Sequence, residues 1–523
     1  MADFTIGRTD DLKDGQMKSV QAGEVELLLV RIAGQYYALQ AKCTHYDGPL
    51  AKGLLKDGVV RCPWHHAHFD AASGDLRQPP AHDCLCRFDL RVEGETLVVT
   101  LPEKIKRSRL PQLAAPDASR DGRTFAIVGG GGAGFAAAQT LRTEGFCGRI
   151  VMISRDSQRP YDRPDLSKSY MAKGEFEPFL RGLAFYEKQG IELQLNRAAT
   201  GIDIPGRRVI LEGGGDVKYD KLLLATGAVP RMLDAPGSTL ANIFTLRTFD
   251  DCKKIIAAAP AQGKAVVIGA SFIAMEVAAS LRARGLAVTV VAPDAVPFQR
   301  TLGDDIGRMF QSLHEENGVS FRLGRKVARF EGGQQVQGAV LDDGQRLDAD
   351  LVVVGVGVRP ATDFLKNSGL ALNGDGSLTV DSTMHAGNDI YAAGDIAMFP
   401  DWRGGGPIRI EHWRLAEQLG QVAAMNMAAR PTQYGGVPFF WTTQYKLSVR
   451  YLGYARDFDE VVLDGNLSER SFTAYYLKGG KVAAAASCKR DLDLLRLDDP
   501  LKRPEMPTLD EARQAAGGPA GNK

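Results

Sequence analysis

Two short segments carry the residues best suited to redox chemistry. Cys43-Thr-His45 and Cys62-Pro-Trp-His65 each pair a thiol with an imidazole, and sixteen residues lie between them. A [2Fe–2S] centre of mixed ligation needs two thiolates on one iron and two neutral imidazoles on the other, which two such loops supply. Imidazole carries less negative charge than thiolate, so this centre is easier to reduce than an all-cysteine one. The same four donors would suit tetrahedral zinc, but Cys-x-His with Cys-x-x-His is not the zinc-finger spacing. His66, His68 and His82 read as surface or hydrogen-bonded histidines. Cys84, Cys86, Cys147, Cys252 and Cys488 read as small packed residues.

A second kind of chemistry is written in glycine. Gly129-Gly-Gly131-Gly-Ala133-Gly134 follows a strand-like run and opens a helical one, the context in which a backbone can approach a pyrophosphate. Asp156, just past the next strand, is placed to accept from a ribose hydroxyl. The pattern recurs at Gly269-Ala-Ser271-Phe-Ile-Ala274-Met-Glu276, with Ser271 in place of the second glycine. No acid ends the strand after it, since Ala292 stands there. Asp294 suits NADH and Arg300 suits the 2′-phosphate of NADPH, and NADH is favoured.

The elements that must position these residues follow from periodicity. Residues 1–103 read as short alternating strands, an all-β unit, and 104–122 as a linker without apolar period. Two βαβ rhythms follow, one in 123–247 with 369–407 and one in 248–368. Residues 408–500 read as an α+β unit opening with a helix from Arg414 to Met427, and 501–523 as a flexible tail. The chain has 64 Lys plus Arg against 63 Asp plus Glu, which leaves no global field to attract nucleic acid or an anionic membrane. No apolar run is long enough to span a bilayer, and the start lacks a secretory pattern. The chain reads as cytoplasmic, without nucleic-acid or membrane partners, and a homodimer stays open.

Further motifs carry a family resemblance. Arg163-Pro-Asp-Leu-Ser-Lys168, Ala225-Thr226-Gly227-Ala-Val-Pro-Arg231, Arg247 in Leu-Arg-Thr, and Tyr391-Ala-Ala-Gly394-Asp395 follow in the order of the FAD-dependent pyridine-nucleotide reductases, which the chain resembles. The resemblance implies that these residues and the first glycine fingerprint bind FAD, with Lys168 by the isoalloxazine. It implies that Glu276 pairs with Lys168 near the nicotinamide, and that Gly269, Ser271 and Gly355 serve NAD(P)H. His412 and Trp413, and Trp441 of Pro438-Phe-Phe-Trp441, match the family's flavin-flanking residues.

The loops Gly48-Pro49-Leu50 and Pro63-Trp64 resemble those of Rieske ferredoxins, although His66 stands where that family usually has glycine. Gly48 and Trp64 occupy the places of the disulfide of high-potential members, so the centre resembles the low-potential type. The whole chain resembles the Rieske-containing branch of apoptosis-inducing-factor-like oxidoreductases, and its reductase part the ferredoxin reductases of Rieske oxygenase systems. The implied fold is multidomain: an all-β Rieske domain, two Rossmann-like α/β domains for FAD and NAD(P), and a C-terminal α+β reductase domain. The implied activity carries electrons from NAD(P)H through FAD to a [2Fe–2S] cluster and on to a redox protein or other one-electron acceptor. A different class, an NAD(P)H-responsive redox sensor of apoptosis-inducing-factor type, is the alternative. No Cys-x-x-x-x-Cys follows the first nucleotide unit, so no redox disulfide takes electrons from the flavin. The small-subunit chemistry of assimilatory nitrite reductases is rejected, because no cysteine run suits sirohaem and a [4Fe–4S] cluster.

Overall fold

Strands rich in β-branched and leucine residues, such as Val25–Ile32 and Thr96–Leu101, build the N-terminal unit. In the computed structural model, which describes residues 1–174 and 177–517, they join a six-stranded antiparallel sheet. Its order is Ala2–Arg8, Thr96–Leu101, Arg87–Glu93, Gln35–Gln40, Val25–Ile32, Gln16–Ala22. A smaller sheet of Leu54–Lys56, Val59–Arg61, His68–Asp70 and Leu76–Gln78 packs beside it. Cys62–His65 is the turn between the two central strands of this small sheet, and Cys43–His45 follows Gln35–Gln40 of the large one.

Both turns have one design. Cys43 N–H donates to Gly48 O and Asp47 N–H to Cys43 O, while Cys62 N–H donates to Ala67 O and His66 N–H to Cys62 O. The fourth residue after each cysteine is left-handed, with φ of 57° at both Asp47 and His66. That conformation favours glycine, which explains why a glycine is expected at position 66.

Ile191–Gln194, Arg149–Ile153, Thr124–Val128, Lys221–Leu224 and Ile390–Ala392 form a parallel sheet, closed by the antiparallel His385–Gly387. A chain excursion between Leu224 and Ile390 holds the second nucleotide sheet. There Ile243–Phe244, Leu351–Val354, Lys264–Ile268, Ala287–Ala292 and Val319–Leu323 run parallel. Ile243–Phe244 thus pairs in the second sheet, although the sequence pattern groups it with the first.

A five-stranded antiparallel sheet from Phe439–Gln444 to Lys481–Cys488 forms the C-terminal unit. Two further features differ from the sequence-based expectation. The helix Trp413–Met427 lies in the core of the first nucleotide unit, not the C-terminal one: Leu415, Leu419 and Ala423 pack with Ile127, Ala137 and Leu141. Gly420 makes this approach, since a Cβ there would sit 2.2 Å from Ala133 O. The presumed tail also holds structure up to residue 517. Its helix Leu509–Ala516 is closed by a Thr508/Glu511 capping box and buries Ala512 and Ala516 against Leu494 and Leu497. Of that expected tail, 518–523 lie outside the described residues.

Candidate functional site

The two turns bring their donors together in pairs. His45 Nδ1 and His65 Nδ1 are 3.0 Å apart, and the thiols of Cys43 and Cys62, each 1% exposed, hydrogen-bond to each other. Among the described residues no three His, Cys, Asp or Glu side chains surround a single ion. Thiol paired with thiol and imidazole with imidazole is the donor grouping of a [2Fe–2S] centre of mixed ligation. Burial pulls His65 well below the ordinary imidazole range, so its ring is neutral, as a ligand must be. Gly48 is required for proximity, because a Cβ there would lie 2.9 Å from Cys62 Sγ. Cys84, Cys147, Cys252 and Cys488 are buried free thiols, and Cys86 is half-buried.

A cavity of about 470 Å³ opens where the nucleotide and C-terminal units meet. Gly131, Ala133, Arg163, Lys168, Gly227, Arg247, Gly394, Asp395, His412 and Trp413 line it, as do Ser271, Glu276 and Gly355 from the second unit. A neighbouring cavity of about 220 Å³ takes in Gly129, Asp156 and Thr226 with Arg163, Gly227 and Arg247. Three expected residues do not face either cavity. Gly134 and Gly269 permit close packing: Cβ atoms there would sit 2.0 Å from Gly129 O and 2.3 Å from Gly355 O. Arg231 turns instead to the backbone of the 357–358 segment.

Charges around the cavity are matched. Asp156 accepts from Arg163 Nη2 at 2.7 Å and Tyr161 OH at 2.9 Å, and Arg247 Nη2 reaches Asp395 at 2.9 Å. Lys168 Nζ donates to Glu276 Oε2 at 2.8 Å and to Pro164 O at 2.9 Å. Polar atoms are also left over. His412 Nδ1 and Trp413 Nε1 are buried without a protein partner beside the cavity, and burial pulls His412 down to about 3. Glu411, also lining, is raised first by burial and then by Asp395. A planar ligand with polar edges and a diphosphate, as FAD is, fits this combination of glycine cradle, paired cations and unsatisfied donors and acceptors.

Trp441 joins the two sites. It lines the cavity, and its ring lies 4.2 Å from that of His65 and 6.0 Å from that of His45. Asp162 also approaches: it accepts from Tyr46 OH at 2.8 Å, and its Oδ2 lies 3.8 Å from His45 Nε2. Docking extends outward from there. Arg414 donates to Pro79 O and His66 O, both at 2.9 Å, and Arg450 donates to Trp64 O at 2.7 Å. His66, read as surface or hydrogen-bonded, is instead buried and stacks on Phe439 at 4.0 Å. His82 pairs with Glu417 at 2.8 Å, and burial drives both towards their neutral forms. Asp162, Glu417 and Thr442, a further partner of Glu276, carry no motif and were missed in the sequence.

Comparison with known proteins follows the same division. Residues 3–96 match the Rieske [2Fe-2S] domain, 123–420 the pyridine nucleotide-disulphide oxidoreductase model and 439–514 the reductase C-terminal model. The chain is 38% identical over 496 residues to apoptosis-inducing factor 3 of Mus musculus, covering 93% of this chain and 82% of that protein. It is 33% identical over 375 residues to the 5,5'-dehydrodivanillate O-demethylase ferredoxin reductase subunit of a Sphingobium species, covering 71% of this chain and 91% of that one. Among solved structures, the covalent putidaredoxin reductase–putidaredoxin complex is similar with a TM-score of 0.69 at 29% identity, over 73% of this chain and 93% of that one.

Proposed function

Because this chain belongs to the pyridine nucleotide-disulphide oxidoreductase family, in a form that carries a Rieske [2Fe-2S] domain and a reductase C-terminal domain, we propose that its own Rieske cluster is the electron exit from its flavin. The protein is an NAD(P)H-dependent FAD oxidoreductase of the ferredoxin-reductase type. When bound, FAD would supply two-electron acceptance from NAD(P)H with one-electron release, and the cluster a one-electron acceptor.

In this reading Cys43 and Cys62 would hold one iron and His45 and His65, whose Nδ1 atoms lie 3.0 Å apart, the other. The fingerprint glycines, Arg163, Arg247 and Asp395 seat the FAD. Lys168, fixed by Glu276 and Pro164 O, turns its remaining N–H towards the cavity that it lines. His412, neutral through burial, offers a hydrogen-bonding edge without adding charge. The observation that carries the proposal is Trp441, which walls the cavity and faces His65 at 4.2 Å. It puts a single half-buried aromatic ring in contact with both the cavity and His65. Asp294 favours NADH: it lies past the strand Ala287–Ala292 and neutralises the exposed Arg300 at 3.3 Å. The acceptor beyond the cluster is a one-electron redox protein, and its site is cytoplasmic.

Anaerobic mixing with NADH tests this. Bleaching of the flavin band followed by appearance of the reduced-cluster EPR signal is expected. A flavin that bleaches while the cluster stays oxidised would overturn the route and favour a sensor.

A further inference from the structure

We propose that Thr442, Gln444 and His314 are positioning residues that hold the Glu276 carboxylate in one orientation through a hydrogen-bond chain of fixed polarity. The proposal rests on the reading that the Lys168–Glu276 pair faces the bound flavin. The chain crosses three parts of the molecule: Lys168 comes from the first nucleotide unit, Glu276 and His314 from helices Phe272–Ala283 and Asp304–Glu316 of the second, and Thr442 and Gln444 from the C-terminal strand Phe439–Gln444.

Glu276 is 3% exposed, and both its oxygens are engaged. Oε2 accepts from Ser167 Oγ at 2.5 Å and Lys168 Nζ at 2.8 Å, and Oε1 accepts from Thr442 Oγ1 at 2.7 Å. Thr442 Oγ1 accepts from Gln444 Nε2 at 3.0 Å, and Gln444 Oε1 lies 2.6 Å from His314 Nε2. Thr442, Gln444 and His314 are all buried, so water does not complete these contacts.

The direction of each bond follows from what each group can do. An ionised carboxylate only accepts, so the single hydroxyl hydrogen of Thr442 must point to Glu276. That hydroxyl then needs a donor on its other side, which fixes the Gln444 amide with nitrogen towards Thr442 and oxygen towards His314. The opposite amide orientation would draw the Thr442 hydrogen to Gln444 and leave Glu276 Oε1 facing an oxygen lone pair. Since Gln444 Oε1 can only accept, His314 must carry its hydrogen on Nε2. Its Nδ1 has no partner, and burial pulls the ring down to about 4, so the neutral Nε2–H form is the one that fits. His314 therefore selects the amide orientation, the amide selects the hydroxyl direction, and the hydroxyl saturates Oε1. Oε2 is left to Lys168 and Ser167, which keeps the Lys168 ammonium beside the cavity.

Two measurements on the full-length holoprotein test this. Nitrogen-15 NMR of labelled histidine should show His314 as the Nε2–H tautomer, assigned by its loss in His314→Gln; an Nδ1–H tautomer would reverse the chain and overturn the proposal. In anaerobic stopped-flow, Thr442→Val, which keeps shape but removes the donor, should lower the limiting rate of flavin reduction by NADH roughly tenfold or more, with NADH affinity little changed. Thr442→Ser, which keeps the donor, should stay near the wild type. Equal loss in both variants, or none in Thr442→Val, would overturn it. Failure of the wild-type flavin to be reduced at all would instead strike the proposed function, while the NMR result still decides the polarity of the chain.

Discussion

Replacing His66 with glycine separates two energies that the native residue combines. Its φ of 57° belongs to the turn closed by Cys62 N–H to Ala67 O and His66 N–H to Cys62 O, so the strain is present whether or not the Rieske unit is docked. A left-handed non-glycine residue costs on the order of 1 kcal/mol, which glycine relieves. The ring contact with Phe439, at 4.0 Å and 23° between planes, exists only in the docked state. An aromatic pair contributes about 0.5–1.5 kcal/mol beyond burial, and burial of the ring adds a similar amount. His66→Gly should therefore leave the Rieske fold at least as stable as before, while docking weakens by roughly 1–3 kcal/mol, a shift of about five- to 150-fold in an opening equilibrium. Arg414 still reaches the carbonyl at 66, so the domain stays associated. Native-state hydrogen exchange reads this: amides of the 62–68 turn and the 439–444 strand should exchange faster by that factor, with the cluster EPR spectrum unchanged. Unchanged exchange at both places, or a lowered melting temperature of the Rieske unit, would refute the reasoning.

Three other outcomes are expected. Trp441→Leu should leave flavin bleaching by NADH at its native rate while cluster reduction lags behind it, as seen by following the two chromophores in one stopped-flow trace. Lys168→Met leaves the buried Glu276 without its cation and should cost about 3 kcal/mol or more of stability in urea titrations, together with a slowed flavin reduction. Acid should destabilise the fold through its buried imidazoles: His314 and His412 lie at about 4 and about 3, against an ordinary 6.5. The unfolded chain takes up these protons first, so stability is full above about pH 6.5 and falls as pH drops towards 4, by about 1.4 kcal/mol per pH unit per group. His314→Gln should flatten the fall in urea midpoint between pH 6.5 and 4.5, and an unchanged slope would count against it.

What the sequence makes legible is local chemistry. The four cluster donors and the glycine fingerprints are read from spacing because each is confined to one turn or one strand–helix junction. Even the departure at Ser271 has a local reason. Gly131 and Ser271 begin their helices with nearly the same extended backbone, φ −86° and ψ −169° against φ −93° and ψ −177°. Neither position demands a glycine conformation, so a serine is admitted there, whereas Gly129 and Gly269 are left-handed and packed against carbonyls. What stays hidden is contact between distant segments. Thr442, Asp162 and Glu417 sit in ordinary-looking strands, turns and helices and gain a role only from partners far away in sequence. The sequence pattern groups the helix Trp413–Met427 with the wrong unit for the same reason, since its amphipathic pattern shows that it has a buried face but not what covers it.

The docking itself argues for a fixed electron route. Arg414 and Arg450 grip backbone carbonyls of the Rieske unit, and Arg61 binds Asp498 at 3.1 Å, through pairs more than 330 residues apart in sequence. The buried guanidinium groups of Arg414 and Arg450 find their partners in the carbonyls of Trp64, His66 and Pro79, and undocking would strip them of these acceptors. The linker adds to this constraint rather than loosening it. Arg109 exchanges two backbone hydrogen bonds with Cys84 on the Rieske side, while Ala114 and Asp117 donate to Arg142 O and Cys147 O on the nucleotide side. A tether pinned at both ends holds its domain at high effective concentration and gives it little room to swing. On the proposed route the cluster therefore stays beside Trp441 through turnover, and the next acceptor must come to the outer surface of the Rieske unit instead of receiving a domain that travels to it.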